Sequence, residues 1–265
     1  MDDLTTNRAH WDALAKVHGQ DAYYDTESLV AGADALEEHE SAAAGDVAGL
    51  DLLHLQSHIA FDSISLARRG ARVTCVDFSP ESLAAAGHLA DRCGVSLELV
   101  EADAAALPSS LDGRFDIVYS AIGVLGWIAD IDAWFEGAFR ALRPGGRFAL
   151  VELHPLFLMF ESADAFTLDF PYAFDGPRRF DEPGSYADRD AEVAATATVE
   201  YAHSLGQVVT AAIGAGLRID ALHEHFDVSR DGRNFLARDP DGRFRLRVSG
   251  ELLPLQYTLL AGRPA

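Results

Sequence analysis

Two side chains stand directly after apolar segments whose pattern predicts β-strands. Asp77 ends the strand 72–76, and a carboxylate in that place can accept hydrogen bonds from both hydroxyls of a ribose. His154 follows the strand 147–153, and an imidazole can take up a proton near neutral pH. Because open α/β sheets bind ligands outside the carboxyl ends of their strands, both side chains are expected at one edge of a sheet.

Strands and helices alternate from residue 50 onward. Helices are predicted at 61–69, from Ser79, and at 131–142, where Arg143-Pro144-Gly145-Gly146 is a stop signal. A later helix at 204–215 precedes a strand that runs through Leu222. This alternation predicts an α/β fold, a doubly wound parallel sheet that is covered on both faces. The remaining strands are predicted at 50–55, 72–76, 97–100, 115–119, 147–153 and 252–260.

Two segments fall outside the alternation, and we predict that both belong to a single domain, residues 1–265. Residues 1–45 indicate an N-terminal helical cap, with one helix near 6–17 and a second at 28–43. Residues 155–200 lack a helical pattern and are rich in aromatic side chains, which predicts an inserted lid or substrate wall, although rings that merely pack the insertion onto the sheet would give the same pattern. These aromatic residues are Phe157, Phe160, Phe166, Phe170, Tyr172, Phe174, Phe180 and Tyr186.

The composition limits the partners. The chain has 265 residues, with 42 acidic against 21 basic side chains and a formal charge of −21, which disfavours nucleic acid and anionic membranes as partners. The two cysteines lack CxxC spacing, the start has no signal-peptide pattern, and no apolar run reaches the roughly 18 residues of a membrane helix. We therefore expect a cytoplasmic protein that acts on a small molecule. The sequence leaves a homodimer open.

Several motifs resemble those of the class I S-adenosylmethionine-dependent methyltransferases. They are Leu52-Leu53-His54-Leu55-Gln56-Ser57-His58-Ile59-Ala60, then Val73-Thr74-Cys75-Val76-Asp77-Phe78-Ser79, Glu101-Ala102-Asp103-Ala104, Phe115 to Ser120, and Leu142-Arg143-Pro144-Gly145-Gly146. More narrowly, the first motif looks like that of a bacterial branch whose loop reads HLQ-x-H instead of the glycine-rich form. The resemblance implies a Rossmann-like seven-stranded sheet with an antiparallel last strand, and S-adenosylmethionine lying across the carboxyl ends of the first strands.

The resemblance also implies a set of cofactor residues. Asp77 would hold the ribose and Phe78 would flank the adenine, whose amine and ring nitrogen would meet Asp103 and the Ala104 amide. Three positions where the family usually has glycine carry Gln56, His58 and Ala60, so the first loop is bulkier than usual. The other expected cofactor residues are His54, Gln56, Ser57 and His58 in that loop, Ser120, Ala121 and Ile122 after the fourth strand, and Tyr24 from the cap.

Methyl transfer needs alignment of acceptor, methyl group and sulfur, exclusion of water and, for some acceptors, a base. His154 is the predicted catalytic base, with His10 and His203 as weaker candidates. With Tyr23 and Trp127, these two histidines are also the expected substrate-binding residues. No metal is expected, since His223-Glu224-His225 is too tightly spaced for a helical zinc pair.

Three functions remain after these considerations. The first is methylation of O, N or C on a small apolar or aromatic metabolite, with specialised metabolism as one setting. The second is a methyltransferase fold that catalyses cyclisation, elimination or decarboxylation, which the altered first loop suggests. The third is a non-catalytic subunit. A nicotinamide dehydrogenase ranks below these, because its glycine fingerprint is missing.

Overall fold

The computed structural model describes residues 2–19, 23–160, 168–172, 176–231 and 235–265. Its centre is a seven-stranded sheet of β1 (Asp51–Leu55), β2 (Arg72–Asp77), β3 (Glu98–Glu101), β4 (Phe115–Ala121), β5 (Leu142–Leu153), β8 (Arg218–His225) and β12 (Gln256–Gly262). The strand order is β3-β2-β1-β4-β5-β12-β8. Neighbouring strands from β3 to β5 pair in parallel, and β12 is antiparallel to both β5 and β8. The Rossmann-like sheet with an antiparallel last strand is thereby confirmed.

Helices cover both faces of this sheet, because its central strands are apolar on both sides. Leu53 and Leu55 pack towards α6 (Ile131–Ala141) and α7 (Leu205–Gly214), in a core that includes Trp134 and Phe135. Leu52 belongs to the core on the opposite face, which carries α3 (Glu38–Ala44) and α4 (Phe61–Arg68). The fifth helix, α5 (Pro80–Cys93), follows β2, and the Ser79 side chain caps it. Short 3₁₀ turns lie at Ser109–Leu111, Leu125–Trp127 and Phe157–Met159.

The N-terminal segment differs from the prediction in one respect. The first helix, α1 (Asp3–Ala15), is present, but the helix expected at 28–43 is two shorter ones, α2 (Thr26–Val30) and α3. Gly32 between them has a φ of 109°, a conformation that ends a helix. A capping box between Glu37 and Glu40 then starts α3. A single helix was predicted because the apolar residues of α2 and α3 form one continuous helical pattern in the sequence.

Two further small sheets lie outside the central one. The described part of the predicted insertion contains a hairpin of β6 (Arg178–Asp181) and β7 (Ala197–Glu200). Between β8 and β12, where the sequence predicted a loop, β9 (Ala237–Arg238), β10 (Phe244–Val248) and β11 (Glu251–Leu253) form a three-stranded sheet. The last strand expected at 252–260 is therefore two strands, β11 and β12. Phe166 and Phe174 lie outside the described residues. In the described part of the chain, no helix is long and apolar enough to cross a membrane.

Candidate functional site

The loop after β1 keeps the backbone shape of a glycine-rich loop without its glycines. Gln56, His58 and Ala60 have φ values of 56°, 47° and 65°, in the left-handed region. Residues other than glycine rarely adopt this backbone conformation, which costs roughly 1–2 kcal/mol for each residue. These are the three positions where the resemblance implies glycine. The bulkier residues have thus changed the side chains of the loop and left its left-handed turns in place.

The Gln56 side chain ties this loop to the loop after β4. Its amide nitrogen donates to the Val124 carbonyl at 2.9 Å, and its amide oxygen accepts from Trp134 Nε1 at 3.0 Å. Both polar ends of the side chain are therefore used within the protein. Gln56, predicted to touch the cofactor, connects the two loops between which the reacting groups would lie.

Asp77 lies at the end of β2, beside the same loop. One carboxylate oxygen accepts the His58 backbone N–H at 2.8 Å and the other accepts the Ser79 N–H at 2.9 Å. Burial raises the pKa of Asp77 to about 6. The Phe78 backbone N–H also hydrogen-bonds to this carboxylate, which offers about four acceptor positions, so one remains for another donor. Phe78 and Asp103, at the ends of β2 and β3, are both half-buried, and Asp103 accepts the Ala105 N–H at 2.9 Å.

A buried carboxylate on β5 shapes the loop after β4. Glu152 accepts backbone N–H groups from Gly123 at 2.6 Å and from Val124 and Leu125 at 2.8 Å, and a fourth from Leu153 at 2.6 Å. The side chain is only 4% exposed, and burial raises its pKa. Four donors on two oxygens fix the position of residues 123–125.

The two loops face a group of aromatic rings, which we call the aromatic wall. Its tryptophans belong to α1 and to the turn after β4, with ring centroids 5.2 Å apart. Trp11 also meets the His58 ring at 5.0 Å, and Tyr24 meets it at 5.9 Å. The Tyr24 and Tyr186 hydroxyls are hydrogen-bonded to each other. The wall consists of His10, Trp11, His18, Tyr23, Tyr24, His58, Trp127 and Tyr186.

Two neutral histidines link the first loop to the insertion. His58 Nε2 lies 2.7 Å from His18 Nδ1, and His18 Nε2 lies 2.6 Å from the Ser185 hydroxyl. His58 Nδ1 is 3.1 Å from Ser82 Oγ. Burial lowers the pKa of His18 to about 4 and lowers that of His58 further below its usual value. The two rings therefore stay neutral, and the pair joins the N-terminal segment, the loop and the insertion.

His154, the predicted base, is buried with both ring nitrogens engaged. Nε2 lies 2.9 Å from Glu224 Oε1, and Nδ1 accepts the Leu156 backbone N–H at 3.1 Å. Proton transfer by His154 would have to break one of these hydrogen bonds, so its contacts favour a structural role. His203 Nε2 lies 2.7 Å from the Ile128 carbonyl oxygen.

Three other predicted residues lie inside the fold. The His54 ring is buried between β1 and α4, with Nδ1 at 2.7 Å from Ser63 Oγ. Ser120 is fully buried, and its hydroxyl donates to the Leu55 carbonyl at 3.2 Å. Ala104 is also buried, while Ala121 and Ile122 pack partly against the core on the α3 and α4 face. The cofactor roles of these residues remain predictions.

Sequence reasoning missed Trp11, His18 and Glu152 as site residues. Trp11 has the spacing of an ordinary apolar residue on α1, and His18 follows that helix as a lone histidine. Glu152 lies on β5, two residues before His154, so the two side chains are expected on the same face of the sheet. A carboxylate on a buried strand was the one signal in the sequence that pointed to Glu152.

Comparisons with known proteins show which proteins this chain resembles. A family model described as a methyltransferase domain matches residues 58–146. A protein of Thermus thermophilus named demethylmenaquinone methyltransferase is 41% identical over 86 residues, covering 32% of this chain and 38% of that protein. The chain spans less than two fifths of the length of the curated relatives it matches, 38–39% for those compared.

Solved structures share the fold over a longer range. An S-adenosylmethionine-dependent methyltransferase from Mesorhizobium loti aligns with a TM-score of 0.57 at 20% identity, covering 88% of this chain and all of that one. A magnesium protoporphyrin IX methyltransferase from Synechocystis, with bound S-adenosylhomocysteine, aligns with a TM-score of 0.55 at 17% identity, covering 99% of this chain and all of that one.

Residues 58–146 match a methyltransferase domain, and the sheet has the fold of solved S-adenosylmethionine-dependent methyltransferases. Both findings support S-adenosylmethionine as the cofactor. The narrower branch with the HLQ-x-H loop stays a prediction. The site has features that fit the cofactor: Asp77 keeps an acceptor position for a ribose hydroxyl, and the loop keeps its left-handed turns. The Ser57 hydroxyl in that loop is 4% exposed and has no hydrogen-bond partner among the described residues.

Proposed function

We propose that the protein transfers a methyl group from S-adenosylmethionine to an oxygen, nitrogen or carbon atom of a small aromatic molecule. The observation that carries this proposal is the aromatic wall beside the first loop, with Trp11 in contact with His58 and Trp127. Flat indole faces bind aromatic rings through stacking and burial of apolar surface. The cofactor supplies an electrophilic methyl group on a sulfonium sulfur.

Each part of the site has a proposed role in binding. Asp77 accepts the ribose hydroxyls, and Phe78 lies against the adenine, which Asp103 and the Ala104 amide recognise. Tyr24 covers the first loop. Glu152 and Gln56 act from outside the pocket, because their hydrogen bonds hold the loop after β4 at a fixed distance from the first loop.

The proposed substrate is uncharged or weakly charged and contains at least one aromatic ring. The histidines of the aromatic wall are held neutral by burial, so they offer no fixed positive charge to an anionic substrate. The Thermus relative is named for a reaction on demethylmenaquinone, whose head group is aromatic in its reduced form. A reduced naphthoquinone is therefore a reasonable first acceptor to test.

The test uses the purified chain, S-adenosylmethionine with a deuterated methyl group, and either 1,4-naphthalenediol or catechol as acceptor. We expect a product whose mass has increased by one deuterated methyl group, together with S-adenosylhomocysteine. An Asp77→Asn variant serves as the control, because it should lose cofactor affinity and keep the fold. A product without the label would support cyclisation or elimination, and failure to bind S-adenosylhomocysteine would contradict the proposal.

A further inference from the structure

His10 has one ring nitrogen fixed and one available. Nδ1 lies 2.8 Å from the Ala195 carbonyl oxygen on the insertion. A carbonyl can only accept a hydrogen bond, so Nδ1 carries the proton and the neutral ring presents a lone pair at Nε2. In the part of the chain that the structure describes, Nε2 has no hydrogen-bond partner. Among the described residues, the fully buried side-chain nitrogen and oxygen atoms without a partner do not include His10 Nε2, so this atom is accessible to solvent.

The His10 ring belongs to the aromatic wall and lies against the turn after β4. It stacks on Trp127 with ring centroids 6.0 Å apart and planes 22° apart. Trp127 belongs to the turn after β4, where the resemblance places the reactive methyl group. The next residue along α1, Trp11, contacts the first loop through His58. His10 therefore contacts the turn beside the expected acceptor position, and its neighbour Trp11 contacts the cofactor loop.

The other histidines of this region are less suited to accept a proton. His154 uses both nitrogens, and His18 and His58 are hydrogen-bonded to each other and to serines. His54, on β1, is buried inside the fold against α4. A carbonyl that fixes the tautomer of one nitrogen and leaves the other open is the arrangement of an oriented general base.

We propose that His10 is the general base of the methyl transfer, acting on an aromatic acceptor that carries a removable O–H or N–H proton. This inference rests on the proposed function. His10 Nε2 takes the proton as the electron pair of the acceptor atom forms a bond to the methyl carbon and the carbon–sulfur pair passes to sulfur. The proton then leaves Nε2 for water, which restores the neutral ring.

The charge state of His10 agrees with this role. Burial lowers the pKa of His10 below its usual 6.5, so the ring is neutral and able to accept a proton at pH 7. The rate should therefore fall only below pH 6.5, as the ring becomes protonated. The titratable or charged groups on α1 and on the segments packed against it include Asp3, Arg8, Asp12, Lys16, His18, His58, Glu81, Glu101, Arg179 and Glu200.

The first test compares His10→Asn with His88→Asn, which changes an exposed histidine on α5. Asparagine can still donate to the Ala195 carbonyl but lacks the basic nitrogen. We expect His10→Asn to lower kcat with 1,4-naphthalenediol about 100-fold, to abolish the acidic limb of kcat measured at saturating S-adenosylmethionine, and to leave S-adenosylhomocysteine affinity within a factor of about two. His88→Asn should match the wild type in all three.

A second measurement does not need turnover. Nitrogen-15 spectra of the histidine rings should show His10 as the Nδ1–H tautomer, and 1,4-naphthalenediol should shift its Nε2 resonance. If the wild type methylates the acceptor and His10→Asn retains more than about a third of kcat, the inference is overturned and the proposed function stands. If cofactor binds but no acceptor reacts, an Nε2–H tautomer or an unmoved resonance overturns it. Absence of cofactor binding in the wild type contradicts the proposed function itself.

Discussion

Replacing Glu152 with glutamine should destabilise the protein strongly for a change of so few atoms. The carboxylate accepts four backbone N–H groups, two on each oxygen, in a place that is 4% exposed. Glutamine has one acceptor oxygen, and its NH₂ group would face two of the N–H donors. Each buried donor left without a partner costs about 1–3 kcal/mol, so the free energy of unfolding should fall by about 2–6 kcal/mol.

Urea denaturation followed by circular dichroism measures this difference from the midpoint and slope. Glu224→Gln is a matched control, because Glu224 is also a glutamate paired by a hydrogen bond, and its side chain is 46% exposed. That variant should lose less than about 1 kcal/mol. If Glu152→Gln unfolds within about 0.5 kcal/mol of the wild type, the four N–H groups do not depend on the carboxylate and the reasoning is refuted.

Three further expectations concern the loop, its acid and the first helix. Gln56→Gly should lower the free energy of unfolding by about 1–2 kcal/mol, because the loss of two side-chain hydrogen bonds outweighs the relief of backbone strain. The control is Ala60→Gly, at a residue with the same left-handed backbone and no side-chain hydrogen bond, whose free energy of unfolding should stay within about 1 kcal/mol of the wild type. The pKa of Asp77 is raised from 3.8 to about 6, so between these pH values the folded protein holds a proton that the unfolded chain has lost. The free energy of unfolding should therefore decrease by up to about 3 kcal/mol from pH 4 to pH 6 and stay level above pH 6. Asp77→Asn should remove this slope in urea titrations. Asn7→Ala removes a pair of hydrogen bonds to the Val199 backbone, at 2.7 and 2.8 Å, and should speed amide hydrogen exchange of α1 at least tenfold, while unchanged exchange would show that the pair does not hold the helix.

The sheet and Asp77 were predictable from sequence because they depend on local patterns. Apolar runs that end in a polar residue, followed by a capped helix, recur along 50–153 and predict four of the five strands there to within two residues. The fifth, β5, begins at Leu142, five residues before its expected start. The end of β2 fixes where Asp77 lies, whatever the distant side chains do.

The side-chain contacts of the site were not predictable in this way. Gln56 meets Val124 and Trp134 across 68 and 78 residues of chain, and nothing in its own neighbourhood indicates those partners. Likewise, His154 has the position of a catalytic base, and only its bonds to Glu224 and Leu156 show that both nitrogens are used. The small sheet of β9, β10 and β11 was missed because its strands are two to five residues long.

Calorimetric titration with S-adenosylhomocysteine at pH 7.5, on the wild type and on Asp77→Asn, tests the central claim most directly. The site geometry predicts binding in the micromolar range for the wild type. It predicts affinity about 10- to 100-fold weaker for Asp77→Asn, because the amide replaces a charged acceptor of the ribose hydroxyls. Equal affinity of the two proteins would contradict the role of Asp77, and a wild type that fails to bind at millimolar ligand would contradict the proposed methyl transfer as a whole.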